Sequence, residues 1–528
     1  MTKLARQTYR LCSQIIPIHV GLYLASFLLG MLSVLAFAPF NLAWISVLTS
    51  AGLFGLLVQT RWMLNSALVG FMFGVGIFGV GVNWIYVSFH TYGGMSVLFA
   101  VLATSLFCVV LALFPALFGF LGSRLIRKTR GVWILAPVWV MCEWLRGVLF
   151  GGFPWLIFGY TQGFTSPLSG YASVFGVYGV SFVVVFSATM LVSCMAHPSR
   201  TWLRLGLLVS VWAAGWGLQQ LDWTRPVGPP VSVSLLQGNV PQDKKWRADE
   251  IENTLRSYVH LARTSKSQLI VLPETAVPMF LNEVPPWFNE ELTTIAYENG
   301  GDIIFGVPEQ TPDEANGTAQ FNSAVSIGSA PPQRYRKQHL VPLGEFLPFE
   351  KLFSWIPEVL QIPMANFSAG VLGQPIMQIG GQRIAVNICF ENVFGEEIAG
   401  PAADATLLLN LSNLAWFGRS LAPAQFVEIS QMRAMENGRY MLLSTNTGPT
   451  AIIDAKGRLV KQIAGFKKGA LDGTAQGYEG RTPYNFGGNW PILVLLFSSI
   501  GMAAAGGSIR WIRTRGRLKK RRIKHANV

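Results

Sequence analysis

The chain has 528 residues, of which 51% are hydrophobic and 13% charged, whereas an ordinary soluble protein is roughly one quarter charged. With a mean hydropathy of +0.39, this excludes a conventional soluble globule and makes a membrane protein the starting point. The formal net charge of +14 admits nucleic acid or an anionic membrane surface as a partner, and the placement of the basic residues decides between them.

Apolar runs long enough to cross a bilayer, about 20 residues each, are predicted near 18–38, 42–60, 64–88, 95–122, 132–150, 167–195, 202–220 and 489–509. The first follows Lys3, Arg6 and Arg10 and ends on Ala36-x-Ala38, as a signal peptide would. Pro39 directly after that point, and the spans that follow, favour an uncleaved helix. Lys and Arg in short loops mark the cytoplasmic side. Arg61, the cluster Arg124, Arg127, Lys128 and Arg130, and the pair Arg200 and Arg204 alternate with loops around Pro39-Phe40-Asn41 and His90–Gly94 that carry none. The expectation is about eight spans with both termini cytoplasmic. It divides the chain into a membrane domain (1–225, about seven helices), an extracytoplasmic domain (226–486), a final span (487–510) and a basic tail (511–528). The tail, from Arg510 to Lys524, directly follows a membrane helix. It therefore reads as an anchor at anionic headgroups, and no nucleic-acid partner is expected.

Segment 226–486 has a different texture. Strands are predicted at Val231–Leu236, Gln268–Pro273, Asp302–Val307, Ser323–Ile327, Arg383–Cys389, Ala405–Leu411, Tyr440–Thr445 and Thr450–Asp454, with helices at Ala248–Arg263, Glu290–Asn299 and Ala424–Asn437 between them. Such alternation indicates an α/β domain, large enough to bury its own core.

The five cysteines form no CxxC pair or Cys/His cluster, so neither a metal nor another cofactor is expected. Only Cys389 lies in the outer domain; Cys12 is in the N-terminal arm, and Cys108, Cys142 and Cys194 fall in predicted spans. A lone cysteine is commonly a small apolar side chain. Here, however, the strand Arg383–Cys389 turns polar at Phe390-Glu391-Asn392, and a helix-like run, Val393–Ala399, follows. A strand-to-helix turn exposes its side chain and aims backbone N–H groups at it, favouring thiolate and oxyanion together. A thiol also needs a base and a cation. Glu274 closes the apolar strand Gln268–Pro273, where it could equally cap a following helix. Lys337 sits in Tyr335–Pro348, where it could equally be a solvated loop charge.

Glu274 in Leu-Pro-Glu-Thr, Lys337 before His-Leu-Val-Pro-Leu-Gly-Glu and Cys389 in Asn-Ile-Cys-Phe-Glu-Asn, spaced by 63 and 52 residues, resemble the Glu-Lys-Cys triad of the nitrilase superfamily. Joined to an N-terminal bundle and one C-terminal span, they make the chain resemble the bacterial apolipoprotein N-acyltransferases over nearly its whole length. Gly152-Phe153-Pro154-Trp155, Phe158-Gly159-Tyr160, Gln237-Gly238-Asn239 with Trp246, Trp416-Phe417-Gly418, Arg433–Arg439 and Ser444–Gly448 support it. Leu343, Phe390 and Leu414 depart from the family's usual Phe, Tyr and acidic residue.

The resemblance implies a multi-pass α-helical bundle carrying a nitrilase-like αββα sandwich in the bacterial inner membrane, on its periplasmic face, and a monomer. It implies acyl transfer from a phospholipid, phosphatidylethanolamine, through a Cys389 thioester to the α-amino group of a diacylglyceryl-modified apolipoprotein. In that scheme Glu274 is the base. Lys337 and the Phe390 N–H hold the oxyanion, Glu345 orients Lys337, Glu391 shapes the pocket, and Trp246 lines an acyl or headgroup path. Trp416-Phe417 and Phe353–Pro357 are lids or core packing, and His339 is structural. The alternative enzyme is a membrane-anchored nitrilase-type amidase. A transporter or receptor would need charges inside several spans, and Glu143 and Arg146 are among the few, read as packing residues.

Overall fold

The computed structural model describes residues 20–60, 62–129, 131–196, 198–313, 317–342, 344–346 and 367–505. Cys12, Arg61, Arg130, Leu343, the segment Phe353–Pro357 and the basic tail lie outside the described residues.

Helices occupy the eight apolar stretches: Val20–Ala36, Trp44–Gln59, Met63–Gly81, Val97–Thr129, Val132–Gly151, Pro167–Ala196, Thr201–Gln220 and Trp490–Ala505. Four of them, Met63–Gly81, Val97–Thr129, Val132–Gly151 and Pro167–Ala196, are long and apolar enough to cross a membrane. Bilayer hydrocarbon offers helices no hydrophobic reason to associate, so close packing depends on small residues. Met63–Gly81 and Val97–Thr129 meet in this way. A Cβ on Gly70 would stand 2.0 Å from the Pro115 carbonyl oxygen, and one on Gly119 2.1 Å from that of Ser66. The outer face of Val97–Thr129 leaves Leu98, Phe99, Leu102, Leu106 and Leu113 exposed, an apolar surface suited to lipid.

Two predicted spans depart from straight helices. The expected run 64–88 stops at Gly81, and the chain continues through a short helix, Ile85–Val87, and a π-helical turn, Ser88–Tyr92. Helix Ala172–Ala196 kinks at Gly176, φ +65°, where the Tyr484 ring fills the space of a Cβ. The Val177 N–H beside the kink donates to Glu436 at 2.8 Å, so a carboxylate of the outer domain satisfies a membrane helix.

Among the described residues, the α/β domain holds a two-stranded sheet, Thr224–Pro226 with Tyr478–Gly480, and two six-stranded ones. One runs in the order Gly469–Ala475, Val231–Gln237, Leu269–Val271, Asp302–Asp313, Gly317–Gly328 and Arg334–Arg336. The other runs Leu459–Ile463, Thr450–Ile453, Tyr440–Thr445, Leu407–Ser412, Gln382–Ile388 and Met377–Ile379. All eight predicted strands are present. In the two large sheets the four strands that were not predicted lie at the edges, where exposed or glycine-containing segments such as Leu459–Ile463 lose the buried alternating pattern; the short pair Thr224–Pro226 and Tyr478–Gly480 was not predicted either.

Val233, Leu235, Val271, Ile384, Leu409 and Leu442 fill the space between the sheets. Helices Ala248–Thr264 and Pro286–Glu298 cover the first sheet with Leu255, Tyr258, Phe288 and Leu292. Helices Gly395–Asp404 and Ala422–Asn437 cover the second, giving an αββα sandwich. Their residues Ile398, Phe426 and Ile429 join one apolar cluster with the membrane helices, and the Phe426 ring stacks on that of Trp155 at 6.1 Å, so this layer seats the sandwich on the bundle. Gln425 accepts from Trp155 Nε1 at 2.7 Å across that seam.

Candidate active site

Cys389 follows the parallel strand Gln382–Ile388 directly and begins a 3-10 turn, Cys389–Val393. Its φ is +54°, a left-handed conformation that a non-glycine residue keeps only when its surroundings enforce it. Glu391 is the enforcer. Its buried carboxylate accepts from Ile388 N at 2.6 Å, Gln338 N at 2.6 Å, His339 N at 3.1 Å and the Tyr335 hydroxyl at 3.0 Å. It therefore ties the nucleophile's turn to the loop after Lys337. Three backbone N–H groups and one hydroxyl, drawn from two segments, converge on this one carboxylate.

Glu274 stands three residues beyond strand Leu269–Val271. The next long helix starts only at Pro286, so Glu274 is not a helix cap. Its carboxylate accepts from Asn322 Nδ2 at 2.8 Å and Asn413 N at 2.7 Å. Lys337, on the loop after strand Arg334–Arg336, is 1% exposed. Its Nζ lies 2.8 Å from Glu345 and 3.7 Å from Glu274, which removes the solvated-loop reading. Asn322 Nδ2 also donates to Glu345 at 3.0 Å, and the Val341 N–H donates to the same carboxylate at 2.9 Å. Glu345 is thus held by both the sheet and the loop, and it orients Lys337.

Electrostatics sets the resting protonation. Burial works against the Lys337 ammonium, but Glu345 and then Glu274 raise its pKa above the ordinary lysine value. Burial pushes the Cys389 thiol well up, Glu274 adds to this, and Lys337 only partly offsets it. The expectation that the turn by itself favours a thiolate is therefore corrected. Burial and two carboxylates outweigh one ammonium, which favours the protonated thiol beside the Glu274 carboxylate.

Lys245, Asn322 and Asn413 escaped sequence reading. Lys245 is buried, donates to the Glu274 carbonyl at 3.2 Å and to the Thr275 hydroxyl, and steadies a turn in which Thr275 has φ +45°. Burial lowers its pKa to about 8. Its only sequence signal is adjacency to Trp246.

These groups open onto a cavity of about 350 Å³. Its lining combines Glu274, Lys337, Cys389, Phe390 and Trp246 with Phe107, Val110, Phe114 and Phe150 from the membrane helices. Trp416 and Phe417 form part of its wall. Ser88 donates to the Trp416 carbonyl at 2.9 Å, and the Phe417 ring stands 4.5 Å from Trp84. Glu143 and Arg146 are buried and bind the chain that follows their helix: Phe158 N donates to Glu143 at 3.0 Å, and Arg146 donates to the Phe153 carbonyl at 2.6 Å.

The assembly of a carbon-nitrogen hydrolase-type sandwich on a helical bundle has counterparts. Residues 29–190 match the family described as apolipoprotein N-acyltransferase N-terminal domain, and residues 232–483 match carbon-nitrogen hydrolase. The chain is 47% identical over 92% of its length to the apolipoprotein N-acyltransferase of Nitrosomonas europaea, 97% of which is covered. The corresponding figures are 42%, 90% and 94% for the enzyme of Methylococcus capsulatus. For that of Ralstonia nicotianae they are 40%, 91% and 94%. Matched along both its membrane and its catalytic portions, the chain belongs to the apolipoprotein N-acyltransferase family and is an acyltransferase.

Proposed function

We propose that this acyltransferase works by a ping-pong route through a thioester on Cys389, with a membrane phospholipid as donor and the α-amino group of a diacylglyceryl-cysteine as acceptor. One observation carries the reading: a single cavity is lined both by Glu274, Lys337 and Cys389 and by aromatics of the membrane helices. An acyl chain laid along the apolar lining brings its ester to the thiol.

In the first half, Glu274 takes the thiol proton as sulfur attacks the sn-1 ester carbonyl, and the charge develops on the carbonyl oxygen. Lys337 Nζ and the Phe390 N–H are the donors for that oxyanion; each such donor is commonly worth roughly 10²–10³ in rate. Collapse breaks the ester C–O bond, Glu274 returns the proton to the departing lysophospholipid alkoxide, and the thioester remains. In the second half, the amine attacks the thioester carbonyl, Glu274 accepts the amine proton, and the thiol is regenerated as the amide forms. Trp246 and the Trp416-Phe417 wall border the path of the chain.

Eight spans, with both termini cytoplasmic and the sandwich on the periplasmic face of the inner membrane, fit the eight helices and the basic loops. Phosphatidylethanolamine is the proposed donor. The monomer is supported by a cavity and triad built from one chain.

The test is intact-mass analysis of the full chain in detergent micelles containing phosphatidylethanolamine. One acyl group should add to wild type and none to Cys389→Ala; an adduct that survives the substitution, or none on wild type, sinks the thioester. Adding a diacylglyceryl-peptide should discharge the adduct to amide, whereas release of free fatty acid instead would favour the amidase alternative.

A further inference from the structure

His339 lies two residues beyond Lys337 and has no part in the acyl transfer above. Its imidazole bridges two acceptors: Nδ1 is 2.8 Å from Glu397 Oε1, and Nε2 is 2.9 Å from the Gly151 carbonyl oxygen. A carboxylate and a peptide carbonyl have no proton to give, so the ring that satisfies both is the imidazolium. The ring face is stacked on Phe394 at 3.7 Å, and the His339 backbone N–H is bonded to Glu391. On the other side, Gly151 belongs to a corner at the end of a membrane helix. There Phe150, Gly151 and Gly152 have φ values of +57°, +85° and +73°. The two glycines adopt this freely, but Phe150 keeps a conformation that a non-glycine residue holds only with outside support, and Phe150, Gly152 and Phe153 line the cavity.

We propose that His339 is a positioning residue: as an imidazolium it pins the Phe150–Phe153 wall of the acyl cavity to the loop that carries Lys337 and Glu345. The membrane-borne and sheet-borne halves of the site are thereby held in one register. The consequence for phospholipid binding rests on the thioester reading; the pin itself does not.

The groups facing the ring are Glu396 and Glu397 from helix Gly395–Asp404 and Glu391 from the nucleophile's turn. Lys337 is engaged by Glu345, and residues 149–153 carry no charge. Burial works against the imidazolium, yet Glu397 and the Gly151 carbonyl hold the His339 pKa above its ordinary value. The pin is therefore fully present below the ordinary histidine value, about 6.5, and is lost as pH rises through the higher folded one.

Two readouts on the full chain in detergent test this. Amide hydrogen exchange of the peptide covering 147–156, corrected for intrinsic pH dependence, should quicken about tenfold or more in His339→Gln, in line with loss of a charge-assisted hydrogen bond. In wild type the same change should set in at alkaline pH, and in Glu397→Gln it should begin at lower pH. Adduct formation in His339→Gln should need a higher half-saturating phosphatidylethanolamine fraction and lose that alkaline limb, with a smaller change in the saturated rate. Unchanged protection of 147–156 in both variants overturns the pin, as does an alkaline limb in His339→Gln identical to wild type. Loosened exchange with no adduct on wild type supports the pin and rejects the thioester instead.

Discussion

The ammonium of Lys337 lies 2.8 Å from the carboxylate of Glu345, and both are buried. Glu274 is farther off, at 3.7 Å. The nearer carboxylate therefore holds Lys337 charged, and Glu274 stays available to the thiol proton.

Glu345→Gln leaves a buried ammonium with only its weaker partner, and breaking one side of such a pair commonly costs about 3–5 kcal/mol. Adduct formation at saturating phosphatidylethanolamine should slow by roughly 10²-fold or more, followed by intact mass in a single turnover. A wild-type rate would mean that Lys337 needs no second carboxylate.

Lys245→Met removes the bonds to the Glu274 carbonyl and Thr275 while keeping the volume of the stem. Leaving the buried Glu274 carbonyl without this donor costs about 1–3 kcal/mol, so the melting temperature should fall only modestly. The adduct rate should nevertheless fall about tenfold or more, because Glu274 loses its placement. Loss of stability with an unchanged rate would assign Lys245 to the fold alone.

Glu391 gives a pH signature. Burial, opposed by the N–H of Ile388 and by Lys337, raises its carboxyl from the usual 4.5 to about 7. Its folded form binds the proton more tightly than the unfolded chain does, so the associated stability is complete below about 4.3 and lost as pH rises through about 7, on the order of 3 kcal/mol in all. Thermal melts at pH 5 and pH 8 should show this decline in wild type. Glu391→Gln should be less stable overall, having lost an acceptor, with a flatter profile; an equally steep profile would place the titration elsewhere.

Gly70→Leu should destabilise the bundle by several kcal/mol, because the backbone of Pro115 at 2.0 Å cannot yield. Gly163→Ala, where nothing lies within 4 Å, is the control. Comparable melting temperatures for the two would contradict the close helix contact.

Much of this was legible in the chain. Hydropathy located the apolar helices, because a 20-residue run has few other uses, and alternating apolar runs located the eight central strands. Glu274 and Cys389 stood out in the chain because each closes a predicted strand, whereas Lys337 stood out only through the resemblance, the edge strand before it, Arg334–Arg336, being unpredicted. The kink at Gly176 was not, since it depends on Tyr484 and Glu436, some 300 and 260 residues away in the chain. Nor were the edge strands, which lack a two-sided buried pattern.

The sequence by itself determined which residues could react and that they stand on a domain attached to a membrane bundle, because residue type, order and hydropathy are local properties. Only the tertiary structure decided that burial raises the pKa of the Cys389 thiol, that the Glu391 carboxylate bonds both the nucleophile's turn and the loop after Lys337, and that Lys245 and His339 bond to Thr275 and Glu397. Each of these depends on burial and on distances between segments far from each other in the chain, 29 residues for Lys245 and Glu274 and 188 for His339 and Gly151, where desolvation and short-range charge interactions are set by packing and not by spacing along the chain.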